Sequence, residues 1–145
     1  MKLQQLSVFL ENRPGHLAEP LALLSREGIN ILSLSLADTS DFGILRMIVR
    51  DWERAAQVLK ADDWVVKLTE VVAVDVEDRP GGLAEVLRAA GRAELKIEYM
   101  YAFSLRRNNR AALIFRFEEP DRAIDVLSAA GCHVIEAEEL FAAVE

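Results

Sequence analysis

The chain offers few side chains for chemistry. Its histidines are His16 and His133, and its one cysteine is Cys132. No spacing among them matches a zinc or copper site. Cys132-His133 follows Gly131 at the expected edge of a strand and reads as core packing. Catalysis would need a nucleophile and base, or metal ligands, at matched spacing. No such set occurs, so the expectation is a non-enzyme with no catalytic residue, no metal and no cofactor. What the chain does carry is a phrase written twice: residues 11–19 read ENRPGHLAE and residues 77–85 read EDRPGGLAE, identical at seven of nine positions. Each copy lies between an apolar alternation and an amphipathic run, where a strand gives way to a helix. Such a junction leaves N–H groups pointing at the loop. Pro14 and Pro80 suit a helix entry, and Gly15 and Gly81 let another backbone or a ligand come close. Two roles are open. Asn12 and Asp78 cap their helices, with the rest as turn geometry, or the N–H groups and helix dipole hold a carboxylate.

The elements that position the phrase also occur twice. RAAQVL at 54–59 matches RAIDVL at 122–127 at four of six positions. A period near 67 residues is too long for a solenoid, so each copy should be a complete small domain, residues 1–70 and 71–145. In each, alternation (Leu6, Val8, Leu10; Val72, Val74, Val76) predicts a half-buried strand. A helical face follows (Leu17, Leu21, Leu24; Leu83, Leu87, Ala90), with Gly28 and Gly91 near its end. Then come two strands, INILSLSLA turning through DTSD into FGILRMIVR, and LKIEYMYAFSL turning through RRNNR into AALIFRF. Asp51 and Asp121 stand ready to cap a second helix, and WVVKLTE and CHVIEAE close the copies. The order βαββαβ, twice, predicts an α+β fold of two ferredoxin-like domains, each an antiparallel sheet with helices on one face. VVKLTEVVAVDVE joins the copies without a linker, predicting a fixed relation about an approximate twofold axis.

Composition excludes several classes. With 52% apolar residues the chain can build real cores. A net charge of −7 opposes binding to phosphate backbones, so no nucleic acid is expected. The basic cluster Arg106, Arg107 and Arg110 reads as a solvated hairpin tip. The longest uncharged run, Gly28–Ala37, has ten residues, too short to span a bilayer. The opening MKLQQLSVFLE meets Glu11 before a signal-peptide core is complete, and with the single cysteine this predicts a cytoplasmic protein without membrane partners.

Residues 11–31, ENRPGHLAEPLALLSREGINI, resemble the opening of an ACT domain, the small ligand-binding module of amino-acid metabolism. The phrase N/D-R-P-G-x-L-A followed by G-I-N-I is similar to the ACT domains of phosphoglycerate dehydrogenase and of acetohydroxyacid synthase regulatory subunits. The likeness covers nearly the whole chain, once per copy. It implies a ligand held where two ACT domains meet, by Asn12, Arg13, Pro14, Gly15, His16, Leu17 and Asn30 of the first copy and Asp78, Arg79, Pro80, Gly81, Gly82, Leu83 and Lys96 of the second. In the serine-binding relative, the Asn of the phrase works with the Asn of a neighbour's G-x-N-I segment. A twofold pairing of the copies would set Asn12 opposite Lys96, suited to an acid without an amine, and Asp78 opposite Asn30, suited to a zwitterion. The relative's assisting histidine is replaced by Leu10 and Val76, which favours an apolar amino acid over serine.

The resulting expectation is a stand-alone amino-acid-binding regulatory protein, forming a homodimer and acting through an amino-acid metabolic enzyme. The alternative is an interaction scaffold or regulatory subunit that binds no ligand. An RNA-binding reading rests on Tyr99, Tyr101, Phe103, Phe115 and Phe117, spaced by two on adjacent strands like a stacking platform. The acidic charge and the missing aromatic-and-glycine motif oppose it, and packing at an interface explains the same rings.

Overall fold

The computed structural model describes residues 2–38, 41–105 and 108–144. Thr39 and Ser40 of one expected turn, and Arg106 and Arg107 of the other, lie outside them. The chain divides into two compact units. One is Gln4–Thr69; the other runs from Glu70 onward and includes Lys2 and Leu3.

The first unit is built from β1 (Leu3–Glu11), α1 (Ala18–Arg26), β2 (Ser33–Asp38), β3 (Phe42–Ile48), α2 (Trp52–Ala61) and the start of β4 (Val65–Glu77). β3 pairs antiparallel with both β1 and β2, with Leu45 opposite Val8 on one side and Leu36 on the other. The alternation in β1 sends Leu6, Val8 and Leu10 into a core with Leu24 of α1 and Ala55 and Leu59 of α2. Leu24 and Leu59 are fully buried, and removing such a side chain from water stabilises by about 1.5–3 kcal/mol.

The second unit continues along β4 into α3 (Gly82–Arg92), β5 (Ile97–Ser104), β6 (Arg110–Phe117), α4 (Pro120–Ala129), β7 (His133–Ile135) and α5 (Ala137–Val144). β4 pairs antiparallel with β6 and β7, and β6 with β5. Val72, Val74 and Val76 join Leu113, Phe115 and Phe117 in a core closed by Val86, Ala89 and Ala90 of α3 and Ala123 and Leu127 of α4. Each unit thus has the βαββαβ order of a ferredoxin-like sandwich.

Several local expectations are corrected. The last strand is His133–Ile135 rather than all of CHVIEAE, and α5 follows it. The run AEELFAAV is made of good helix formers with acids in its first turn, and the Leu140 N–H donates to the Glu136 carbonyl at 2.9 Å. α4 starts at Pro120, before Asp121, because proline at the first helical turn costs no hydrogen bond. Gly91 lies inside α3, and the left-handed exit falls on Glu94, at φ 56°, where the first unit has Gly28 at φ 71°. A β-bulge between Ile97 and Tyr99 separates the aromatic residues. Phe115 and Phe117 stack in the core, centroids 5.1 Å apart, while Tyr99, Tyr101 and Phe103 register with Arg116, Ile114 and Ala112 on the other face. The five rings form no common platform.

Candidate functional site

In the second unit the repeated phrase is a tight turn from β4 into α3. The Asp78 N–H donates to the Asn109 carbonyl at 2.7 Å, tying the loop to the β5–β6 hairpin tip. The Arg79 N–H donates to the Glu77 carbonyl at 2.9 Å and the Gly82 N–H to the Arg79 carbonyl at 3.1 Å. Gly81 is left-handed, at φ 90°. Gly82 packs so closely that a Cβ there would collide with the Glu77 carbonyl oxygen. Only glycine at both positions lets α3 begin so soon after the strand.

Around this turn the charges are fixed in pairs. Arg79 donates from Nε to Glu77 Oε2 at 2.6 Å, from Nη2 to Glu85 Oε1 at 3.0 Å and from Nη1 to the Pro80 carbonyl at 3.2 Å. Arg110 donates from Nε to Asp75 Oδ1 at 2.7 Å, with Nη1 3.8 Å from Glu77 Oε1. The hydrogen bond from Arg79, and then its charge, hold the Glu77 carboxyl below the usual range; Glu77 and Glu85 in turn push the Arg79 pKa up. Asp78 is exposed and, among the described residues, its carboxylate has neither hydrogen bond nor ion pair. It lines an open pocket of about 570 Å³ with Glu77, Arg79, Asn108, Asn109 and Arg110. Asn108 and Asn109 are both left-handed, at φ 55° and 52°. Arg110, expected as a solvated tip residue, is instead a half-buried wall of this pocket, anchored by Asp75.

The first copy folds more loosely. The Asn12 N–H donates to the Asp41 carbonyl at 3.0 Å, and Gly15 is left-handed at φ 82°. Arg13 reaches Glu11 at only 3.5 Å. His16 stands where the second copy has Gly82, and α1 does not begin until Ala18, two positions later than α3. The His16 Nδ1–H donates to the Glu11 carbonyl at 2.7 Å, and its ring lies 5.2 Å from that of Trp64. Leu17 is half-buried against the core, whereas Leu83 points to solvent at 40% exposure. Neither Asn12 nor Asp78 caps a helix: the cap positions are Leu17 and Gly81, without a side-chain bond.

Asn30 and Lys96 are exposed and precede β2 and β5. Lys96 Nζ lies 4.0 Å from Glu118. In the first sheet Glu11 pairs with Phe42, while Ser33, just after Asn30, pairs with Ile48. In the second, Glu77 pairs with Arg110 and Ile97 with Phe117. Six or seven residues of strand separate these levels, roughly 20 Å. Asn12 and Asn30 therefore stand at opposite ends of one sheet, as do Asp78 and Lys96 of the other. Neither pair can close on one ligand within its own unit.

Sequence reasoning gave no role to Glu77 and Glu85, the ends of the phrase itself, and missed Asp75 and Asn109 as its neighbours. Asp75 interrupts the apolar run VVAVDVE and was a visible signal; the contact with Asn109 depends on register alone. Among the described residues no group of three or more His, Cys, Asp or Glu could hold a metal, and no helix is long and apolar enough to cross a membrane.

The family model described as an ACT domain pair matches residues 1–144. The acetolactate synthase small subunit of Buchnera aphidicola subsp. Baizongia pistaciae (strain Bp) is 30% identical over 88 residues, 60% of this chain and 55% of that protein. The chain thus spans about half the length of that relative. Protein BT0572 from Bacteroides thetaiotaomicron has a similar structure at 39% identity, TM-score 0.91, covering 97% of this chain and 96% of the other. The ligand-free regulatory subunit of aspartate kinase from Thermus thermophilus shares the fold at 16% identity, TM-score 0.61, covering 88% and 91%.

Proposed function

The chain belongs to the ACT domain pair family, and from that premise we propose that it binds a small zwitterionic amino acid at the repeated loop and regulates an amino-acid metabolic enzyme in the cytoplasm. Asp78 carries this reading. Its neighbours Asp75, Glu77 and Glu85 are all bound to arginines, whereas the Asp78 carboxylate is exposed and has no partner among the described residues. An ammonium group would complete it with a charge-assisted hydrogen bond. The ligand's carboxylate falls to the segment Gly28–Ile31 of a neighbouring ACT domain, through Asn30. The separation of about 20 Å within each sheet supports a site completed by such a neighbour. The first copy, with Asn12 toward a lysine at the Lys96 position, suits an acid without an amine. Buried Leu10 and Val76, in place of a polar partner, favour apolar amino acids. A homodimer is part of the same proposal.

The enzyme partner is proposed by analogy with relatives whose names describe subunits of acetolactate synthase and aspartate kinase. A thermal-shift screen over the twenty protein amino acids is the first test. Ligand at about a hundred times Kd stabilises by about 2.7 kcal/mol, which raises Tm by several degrees. Calorimetry with the best ligand should then find at least a tenfold weakening in Asp78→Ala, about 1.4 kcal/mol, and a smaller effect in Asn12→Ala. Equal losses would mean two equivalent sites, and no response to any amino acid would rule out amino-acid sensing.

A further inference from the structure

The two repeats differ at one pair of facing positions, and the difference opens a groove. His16 and Gly82 are equivalent, since each N–H donates to the carbonyl of the arginine three residues earlier, at 3.0 and 3.1 Å. Trp64 and Cys132 are equivalent too: their N–H groups donate to the Leu59 and Leu127 carbonyls at 3.1 and 2.9 Å. The residues before them, Asp63 and Gly131, are both left-handed, at φ 66° and 85°. In the first unit two rings, His16 and Trp64, lie 5.2 Å apart across this space. In the second the same positions carry a glycine and a cysteine. The result is a groove of about 450 Å³ between α3 and the α4–β7 turn, within that unit alone.

The groove lies across the Arg79 side chain from Asp78, which does not line it. Val76, Val86 and Ala89 form an apolar floor. Three carboxylates (Asp75, Glu77, Glu85) and three guanidiniums (Arg79, Arg92, Arg110) ring it. Arg79 and Arg110 are held by those acids, and His133, at the rim, is held by Glu139 at 2.8 Å. Arg92 is exposed and, among the described residues, has no ion-pair partner. A wall with balanced charge, one free cation and an apolar floor suits a ligand that is itself neutral overall and dipolar.

We propose that this groove is a second ligand site, taking a zwitterion with an apolar side chain: the carboxylate on Arg92, the ammonium on Glu85, the side chain on the valine floor. Glu85 keeps acceptor capacity after its bond to Arg79, because a carboxylate offers about four lone-pair sites. Among the described residues, the His16 and Trp64 rings stand in the corresponding space of the first unit, so the site is assigned to the second repeat. The groove shares the ligand class of the loop site and the wall formed by Asp75, Glu77, Arg79 and Arg110, but Asp78 lines only the loop pocket and Glu85 and Arg92 only the groove, so either can fail alone.

Cys132 lines the groove and is the chain's only cysteine, so its alkylation rate reports occupancy directly. Burial, and then the Glu85 carboxylate, push its thiol pKa up, which lowers the thiolate fraction that alkylation requires; the rate is followed by mass spectrometry. The full chain would be treated with iodoacetamide alone and with each protein amino acid other than cysteine, whose own thiol consumes the reagent, at millimolar concentration. At about ten times Kd, mass action gives roughly tenfold protection. We expect that from at least one apolar amino acid, and none from its deaminated acid or decarboxylated amine. Arg92→Gln, at an exposed position, should abolish the protection, and Asp78→Ala should retain it. An amino acid that raises Tm without slowing alkylation would overturn the groove site and leave the loop site standing. Protection that survives Arg92→Gln, or is lost in Asp78→Ala but not in Arg92→Gln, would also overturn it, as would a rate unchanged by every amino acid tried.

Discussion

Single residues account for the different helix starts and exits of the two repeats. His16 and Gly82 occupy equivalent positions, and the glycine lets α3 start two residues earlier than α1 relative to the repeated phrase. The left-handed exits of these helices show the opposite bias. Gly28 takes φ 71° without strain, while Glu94 takes φ 56° with a side chain. Both exits are closed by the same bond, from Ile29 to the Leu24 carbonyl at 2.9 Å and from Leu95 to the Ala90 carbonyl at 3.0 Å, so the geometry is required in each. A left-handed non-glycine residue costs about 1–2 kcal/mol, and glycine gives back about 0.4–1 kcal/mol through the unfolded chain. Glu94→Gly should therefore stabilise the protein by about 0.5–1 kcal/mol, read as a higher urea midpoint at unchanged slope. A lower midpoint would show that the Glu94 side chain contributes more than its backbone costs.

Among the elements, α3 contains two glycines with opposite requirements. Gly91 is exposed in the helix, and a Cβ there would meet nothing within 4 Å. Gly91→Ala should stabilise by about 0.5–1 kcal/mol from helix propensity. Gly82→Ala has to push the first turn of α3 off the Glu77 carbonyl, and overpacking of this kind costs about 1–3 kcal/mol. The two variants should move the denaturation midpoint in opposite directions. α5 is likewise part of the fold rather than a tail, because Leu140 is fully buried and Phe141 nearly so. Leu140→Ala should cost about 2–5 kcal/mol, and a loss below about 0.5 kcal/mol would mean that α5 does not hold its position in solution.

For the whole molecule, the exposed apolar residues bear on assembly. Phe42 and Val65 are 64% and 65% exposed, and Leu34 and Leu36, on the edge strand of the first sheet, 47% and 40%. The proposed homodimer would cover apolar side chains of this kind. Light scattering at micromolar concentration should give twice the 16.2 kDa chain mass, and a single-chain mass would contradict the homodimer. Leu34→Glu and Leu36→Glu together should shift the population toward the monomer if that edge is the interface.

The order of elements was legible in the sequence because alternation at two and at 3.6 residues follows directly from which side chains must leave water, and a repeat doubles that signal. The phrase itself was legible because proline and glycine at a strand–helix junction have few other uses. α5 was not, since AEELFAAV follows directly on a strand pattern and a three-residue strand is too short to announce its end. The site was only half visible. The repeated phrase pointed to Asp78 and Arg79, but the bonds of Arg79 to Glu77 and Glu85 depend on how the turn folds back on itself, and the pairing of Asp75 with Arg110 depends on register between β4 and β6. The groove beside it depends on Gly82 and Cys132 meeting across fifty residues of chain. Distance in space is set by strand pairing and helix packing, which a linear pattern does not encode, and only the tertiary structure could decide it.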